Sequence, residues 1–230
     1  MEAKTIGILA GMGPRSTAPF VDLVVGECQR QYGATYDDEF PPMMIYALPT
    51  PFYVDRPIDH AALRAAIVAG LRRLAGTGVA LIAMPCNTAH IYFDQLAAAI
   101  DVPLLNMVDL ALRALPEDAR RVALLATRPT SAARVYQDVL EQSGRTVYLD
   151  EPLQAQVERL IQTIKTARDR RAAVELWRDL LAALAADGLD TALLACTDLN
   201  AVSAAVGVPL TFVDATACLA AATVREWRAL

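Results

Sequence analysis

Two cysteines stand in nearly the same setting in this 230-residue chain. The run Val79-Ala80-Leu81-Ile82-Ala83-Met84-Pro85 ends at Cys86 and continues as Asn87-Thr88, and the run Thr191-Ala192-Leu193-Leu194-Ala195 ends at Cys196 and continues as Thr197-Asp198. Cys196 follows Cys86 by 110 positions, close to half the chain. A thiol is a small apolar side chain until it ionises, and the thiolate is both a nucleophile and a base. Two thiols delivered by two similar halves suit one reaction in particular. One removes a proton from a carbon, and the other returns a proton to the opposite face. The plain alternative is that a free cysteine fills the core, and it fits Cys28 and Cys218, which lie among apolar neighbours inside expected helices.

The elements that must position these thiols follow from the hydropathy pattern. Strands are expected at 6–10, 43–48, 80–84, 104–106, 122–126, 147–149, 192–195 and 210–213. Helices are expected at 16–31, 59–77, 89–99, 131–143, 153–166 and 171–187, with a last helix in the tail 214–230. This alternation predicts an α/β fold with mostly parallel sheets. Each cysteine then sits where a strand turns into a helix, a place where backbone N–H groups and the helix dipole favour a thiolate.

The halves resemble each other beyond the cysteines. Ile6-Gly7-Ile8-Leu9-Ala10 can be laid on Val122-Ala123-Leu124-Leu125-Ala126, and the same offset pairs Phe20 with Tyr136 and Asp22 with Asp138. We therefore expect two similar Rossmann-like lobes related by a pseudo-two-fold axis. Residues 1–112 with 211–230 would form the first, carrying Cys86, and residues 113–210 the second, carrying Cys196. Ligands of such sheets bind at the carboxyl ends of the strands, so the expected site is the cleft between the lobes.

Other groups are less specific. Gly11-Met12-Gly13-Pro14 follows the first strand but is no dinucleotide loop, since Ser16 stands where a third glycine is needed, and no Gly-Lys-Ser/Thr completes a P-loop. A tight turn whose N–H groups approach a carboxylate is the functional reading of it. Arg56 and Lys165 read as solvated charges or as carboxylate-binding cations, and His90 as a cap or a packed ring one turn after Cys86.

Composition sets the outer limits. Apolar residues make up 55% and charged residues 20%, which supports a large core and argues against disorder. The net charge is −5, from 21 basic and 26 acidic residues, so nucleic acid is not the expected partner and an anionic substrate needs local cations. Four cysteines without a Cys-x-x-Cys pair, and two distant histidines, argue against a disulfide framework and against a metal site. No apolar run reaches the roughly 18–20 residues of a membrane span. The N-terminal apolar stretch Thr5–Ala10 is short and is broken by Gly11, Gly13 and Pro14, so a cytoplasmic location is expected.

The segments Gly7-Ile8-Leu9-Ala10-Gly11-Met12-Gly13-Pro14-Arg15-Ser16-Thr17, Pro85-Cys86-Asn87-Thr88-Ala89-His90, Leu194-Ala195-Cys196-Thr197-Asp198 and Phe212-Val213-Asp214-Ala215-Thr216 together resemble the aspartate/glutamate racemase family, the cofactor-independent two-cysteine amino-acid racemases. Leu124-Leu125-Ala126-Thr127, with Thr130 and Tyr136, adds to the likeness, which spans nearly the whole chain. The resemblance implies that Cys86 and Cys196 are the catalytic pair, with no cofactor. It implies that Arg56 and Lys165 bind substrate carboxylate, and that Met12, Asn87, Thr88, Thr127, Thr130 and Thr197 line the pocket. It also implies a homodimer acting on a small amino dicarboxylate, aspartate or glutamate. Asp198 departs from the pattern, since glutamate is common there, and so does Ala10, where glycine is common. Maleate isomerisation and hydantoin racemisation are related chemistries on the same scaffold. Arylmalonate decarboxylation needs only one cysteine and fits less well. A two-lobed carboxylate-binding protein without catalysis is the alternative of another class.

Overall fold

The computed structural model describes residues 4–53, 56–166, 169–189, 191–203 and 210–230. Val54 and Asp55, in the loop that leads to Arg56, lie outside the described residues. By its contacts the chain divides into two compact units, Met1–Met107 with Leu219–Leu230, and Val108–Cys218.

In the first unit, β1 (Ile6–Ala10) is the centre of a three-stranded parallel sheet, between β2 (Met43–Ala47) and β3 (Leu81–Ala83). β1 and β3 are buried along their whole length, as expected of parallel strands covered on both faces. Helices α1 (Thr17–Tyr32) and α2 (His60–Ala75) connect the strands. Asp59 caps α2 by accepting from the Ala62 N–H at 2.9 Å, and Leu63, Ile67, Leu71 and Leu74 form its buried stripe. That stripe packs with Leu9, Ile82, Met84 and Leu96 of α3 (Phe93–Ala97) into one core.

The second unit repeats this plan with additions. β4 (Arg121–Ala126) lies between β5 (Thr146–Tyr148) and β6 (Thr191–Ala195), and β7 (Thr211–Asp214) adds to the far side of β6, all parallel. Between α4 (Met107–Arg113) and α10 (Ala215–Ala229), the helices are α5 (Arg128–Ala132), α6 (Gln137–Gln142), α7 (Glu151–Thr166), α8 (Arg171–Ala186) and α9 (Asn200–Ser203). Trp177, Leu180, Leu181 and Leu184 of α8 meet Val157, Leu160, Ile161 and Ile164 of α7 against Ala123, Leu125, Ala192 and Leu194 of the sheet.

The correspondence is strand for strand: β2-β1-β3 in one unit answers β5-β4-β6 in the other. β7 also has a counterpart. The strand expected at 104–106 is reduced to a single parallel bridge between Ile82 and Leu104, and the chain then enters α4 at Met107. The α/β fold with two parallel sheets is thus as the sequence pattern predicts.

Two helices differ from expectation for local reasons. The segment 131–143 is not one helix, because Arg134 takes a positive φ of 56° and separates α5 from α6. The segment 89–99 opens as a tight turn, Thr88–Tyr92, before α3. There the His90 N–H bonds the Asn87 carbonyl at 3.0 Å, while the Cys86 carbonyl, which a regular helix would use, is taken by the His90 ring.

Candidate active site

Cys86 is half-buried and follows β3 through Met84-Pro85. Its own N–H turns back to the Met84 carbonyl at 2.8 Å, which bends the chain sharply at the strand's carboxyl end. Asn87 and Thr88 are buried just beyond it. The ring of His90, only 3% exposed, fixes this turn from below. Its Nδ1 lies 2.8 Å from the Cys86 carbonyl, and the Met107 N–H reaches its Nε2 at 3.1 Å. A backbone N–H can only donate, and the Leu105 carbonyl lies farther from Nε2, at 3.4 Å, so the shorter contacts assign Nε2 as the acceptor and Nδ1–H as the donor to Cys86. His90 is therefore neutral and in one tautomer, stacked on Phe93 with ring centroids 5.7 Å apart.

Met12 packs against the same core as Cys86. It lies in the turn after β1, where Gly11 has φ +91° and its N–H bonds Thr17 Oγ1 at 3.2 Å. A side chain at Gly11 would meet the Leu48 nitrogen at 2.6 Å and the Leu48 oxygen at 2.7 Å, so the backbones of this turn and the end of β2 touch there. Arg56 is exposed, with its guanidinium 4.5 Å above the Tyr53 ring.

In the second unit Cys196 is buried at the carboxyl end of β6 and opens the turn Thr197–Leu199, closed by the Leu199 N–H on the Cys196 carbonyl at 3.1 Å. The strand register sets Ala126 beside Ala195, so Thr127 and Cys196 leave neighbouring strand ends together. Thr127 Oγ1 and Thr130 Oγ1 are 2.9 Å apart, and buried Gln154 of α7 donates to the Ala126 carbonyl at 3.1 Å. Thr197 and Asp198 are both 6% exposed. Lys165, in the last turn of α7, puts its Nζ 2.7 Å from Asp198 Oδ2. The same oxygen lies 3.8 Å from Cys196 Sγ, at the long range typical of a thiol donor.

A second buried network anchors this turn to β7. Asn200 donates to Asp214 Oδ2, the Thr216 N–H donates to Asp214 Oδ1 at 2.8 Å, and the Thr216 hydroxyl donates to Asn200 Oδ1 at 3.0 Å. Burial pushes the Asp214 carboxyl up, against the lowering effect of these donors. Burial also pushes the Cys28 thiol up, and it raises the Cys218 thiol to about 11 with help from nearby Asp214. Neither thiol is poised for chemistry; Cys28 is a core residue as expected, whereas Cys218 is half-buried.

The family profile described as Asp/Glu/Hydantoin racemase matches residues 9–223. A "Broad specificity amino-acid racemase RacX" of Bacillus subtilis is 43% identical over 224 residues, 97% of this chain and 98% of the relative. The chain belongs to the Asp/Glu/hydantoin racemase family. With that membership goes the reaction class: it is an amino-acid racemase, an isomerase. Among solved structures, an aspartate racemase of Picrophilus torridus superposes with a TM-score of 0.82 at 26% identity, covering 98% of this chain and 94% of the other. A glutamate racemase isoform, RacE1, of Bacillus anthracis shares the fold with a TM-score of 0.68 at 15% identity, covering 100% and 83%.

The roles of several groups that fix the strand-end turns of this racemase are only partly visible in the sequence. Gln154 gives no signal, since its polar side chain interrupts an apolar helical stripe only once. Asp214 and Asn200 were separated by the strand between them, although Asp214-Ala215-Thr216 has the spacing of an Asx turn. His90 stands four residues after Cys86, the spacing at which a ring can reach back to a carbonyl.

Proposed function

We propose that this racemase interconverts amino-acid enantiomers by two-base proton transfer at Cα, with Cys86 and Cys196 as the acid and base and no cofactor. The observation that carries the reading is the matched placement of the thiols. Each stands at the carboxyl end of the strand beside its unit's central first strand, and each leads into a tight turn. One thiolate takes the Cα proton and becomes a thiol. The other thiol gives its proton to the opposite face of the carbanion and becomes a thiolate. The reverse reaction restores the starting arrangement, so no proton is gained or lost overall. Negative charge develops toward the α-carboxylate, and N–H and hydroxyl donors from Asn87, Thr88, Thr127, Thr130 and Thr197 would stabilise it. Met12 would contribute to the pocket wall and Arg56 would hold a carboxylate with two bonds. Aspartate and glutamate are the first substrates to test, with a homodimer in the cytoplasm as the expected setting.

A wider substrate range is the second reading, favoured by the pairing of Lys165 with Asp198. A panel of amino acids incubated in deuterated water, followed by proton NMR at Cα, tests both. Exchange and racemisation that disappear in Cys86→Ser and in Cys196→Ser support the two-thiol mechanism. Interconversion that continues undiminished in either variant refutes it, and binding without exchange across the panel would favour a carboxylate-binding protein instead.

A further inference from the structure

Lys165 is already engaged by an acid of its own chain, Asp198. We propose that Lys165 is a positioning residue for Cys196, acting through Asp198, and does not hold a second substrate carboxylate. The proposal rests on Cys196 being a proton carrier, and it gives the cation beside it a different task.

Three atoms carry the argument. Asp198 Oδ2 lies 2.7 Å from Lys165 Nζ and 3.8 Å from Cys196 Sγ, so one oxygen serves the ammonium and the thiol together. Asp198 is 6% exposed and Lys165 24% exposed. A carboxylate this enclosed is costly without a partner. If Lys165 turned to a substrate carboxylate, it would leave that cost uncompensated, whereas an intramolecular acid already in place needs no ordering. The shorter side chain of aspartate keeps Oδ2 close to the turn Thr197–Leu199 that begins at Cys196. Lys165 is held in reach because Leu160, Ile161 and Ile164 fix the last turns of α7 in the core.

An anionic acceptor beside a thiol favours the protonated thiol, and a nearby ammonium opposes that preference. Asp198 and Lys165 together therefore set how readily Cys196 gives up its proton. Other charged groups lie on or near the elements packed around this turn, and Arg170 reaches the Ala201 carbonyl just beyond it at 3.5 Å. Glu151 and Glu158 of α7 bind Arg128 at the surface, and Arg159 lies on the same helix. Asp214 of β7 is held by Asn200 and Thr216, and β4 carries no charge over 122–126.

Two measurements test the proposal. In the first, Cα proton exchange is followed for alanine and aspartate with the wild type, Lys165→Met and Lys165→Arg. Loss of kcat by the same factor on both substrates in Lys165→Met, with recovery in Lys165→Arg, is expected. A rise in KM confined to aspartate, with alanine unaffected, overturns it. In the second, the pH dependence of Cys196 alkylation by iodoacetamide is read by mass spectrometry in Cys86→Ser protein. Asp198→Asn should lower the midpoint and Lys165→Met should raise it, each by about one unit, a tenfold change in thiolate at fixed pH. Midpoints that do not move overturn the proposal. The alkylation result stands even if the wild type exchanges no amino acid, an outcome that would overturn the racemase mechanism instead.

Discussion

Replacing His90 by phenylalanine isolates what its two ring nitrogens contribute. A phenyl ring keeps the flat shape and the stacking on Phe93, whose ring lies at 7° to that of His90. It removes the donor at 2.8 Å from the Cys86 carbonyl and the acceptor at 3.1 Å from the Met107 N–H. His90 and Met107 have at most 3% exposure, so water does not readily replace the ring at the Met107 N–H, while Cys86 is half-buried. Each buried group left unsatisfied costs about 1–3 kcal/mol, and with partial relaxation the pair comes to about 2–4 kcal/mol. The assay is urea denaturation, with the midpoint shift converted at an unchanged slope. His90→Asn, whose amide falls near the Nδ1 position, and His90→Gln, whose amide falls near Nε2, should each recover part of the loss. Turnover should fall further than stability in His90→Phe, because the Cys86 carbonyl is one bond from the turn that aims the thiol. A destabilisation below about 1 kcal/mol with unchanged turnover would refute the assigned tautomer and its positioning role.

Gly11→Ala should destabilise by more than about 2 kcal/mol or prevent folding, since the new Cβ meets Leu48 backbone at 2.6 Å and φ is +91°; circular dichroism and thermal melting read this out. Limited alkylation at pH 8 should modify Cys86 well before Cys218, whose thiol at about 11 holds about a hundredfold less thiolate than an ordinary one near 9.0. Alkaline titration should show stability falling as pH rises from 9.0 toward 11, where the unfolded chain releases the Cys218 proton that the fold retains; burial of Tyr136 acts in the same direction, and stability that rises through this window contradicts the assignment.

The fold was legible because parallel strands buried on both faces write themselves as unbroken apolar runs, as in Ile6–Ala10 and Thr191–Ala195. Element ends were less so. The apolar pattern at 104–106 is that of a strand, but only Leu104 bridges to Ile82 before α4 begins. Periodicity at 131–143 could not reveal the break at Arg134, since arginine is not a residue that announces a positive φ. The strand-end placement of Cys86 and Cys196 was legible from local pattern alone. The pairing of Lys165 with Asp198 was not, because 33 positions separate them in sequence and only the packing of α7 against the turn after β6 brings them together. Charge in the sequence tells which cations exist; packing tells which are already committed.

The repeat makes the thiols similar in placement, while their surroundings make them chemically unequal. Cys86 is half-buried and its turn is tied by a neutral imidazole, which brings no charge to it. Cys196 is buried, with a carboxylate oxygen 3.8 Å from its sulfur that in turn binds an ammonium at 2.7 Å. For a racemase this inequality has a strict consequence. Enantiomers have equal free energy in water, so kcat/KM must be the same in both directions whatever the two walls are made of. The asymmetry can appear only as kcat and KM that differ between enantiomers by equal factors. On the proposed two-thiol mechanism, a thiol that starts protonated would favour binding of the enantiomer whose Cα hydrogen faces the other sulfur. Asp198 would therefore set which enantiomer binds more tightly and turns over more slowly, while leaving the overall catalytic efficiency balanced between the two.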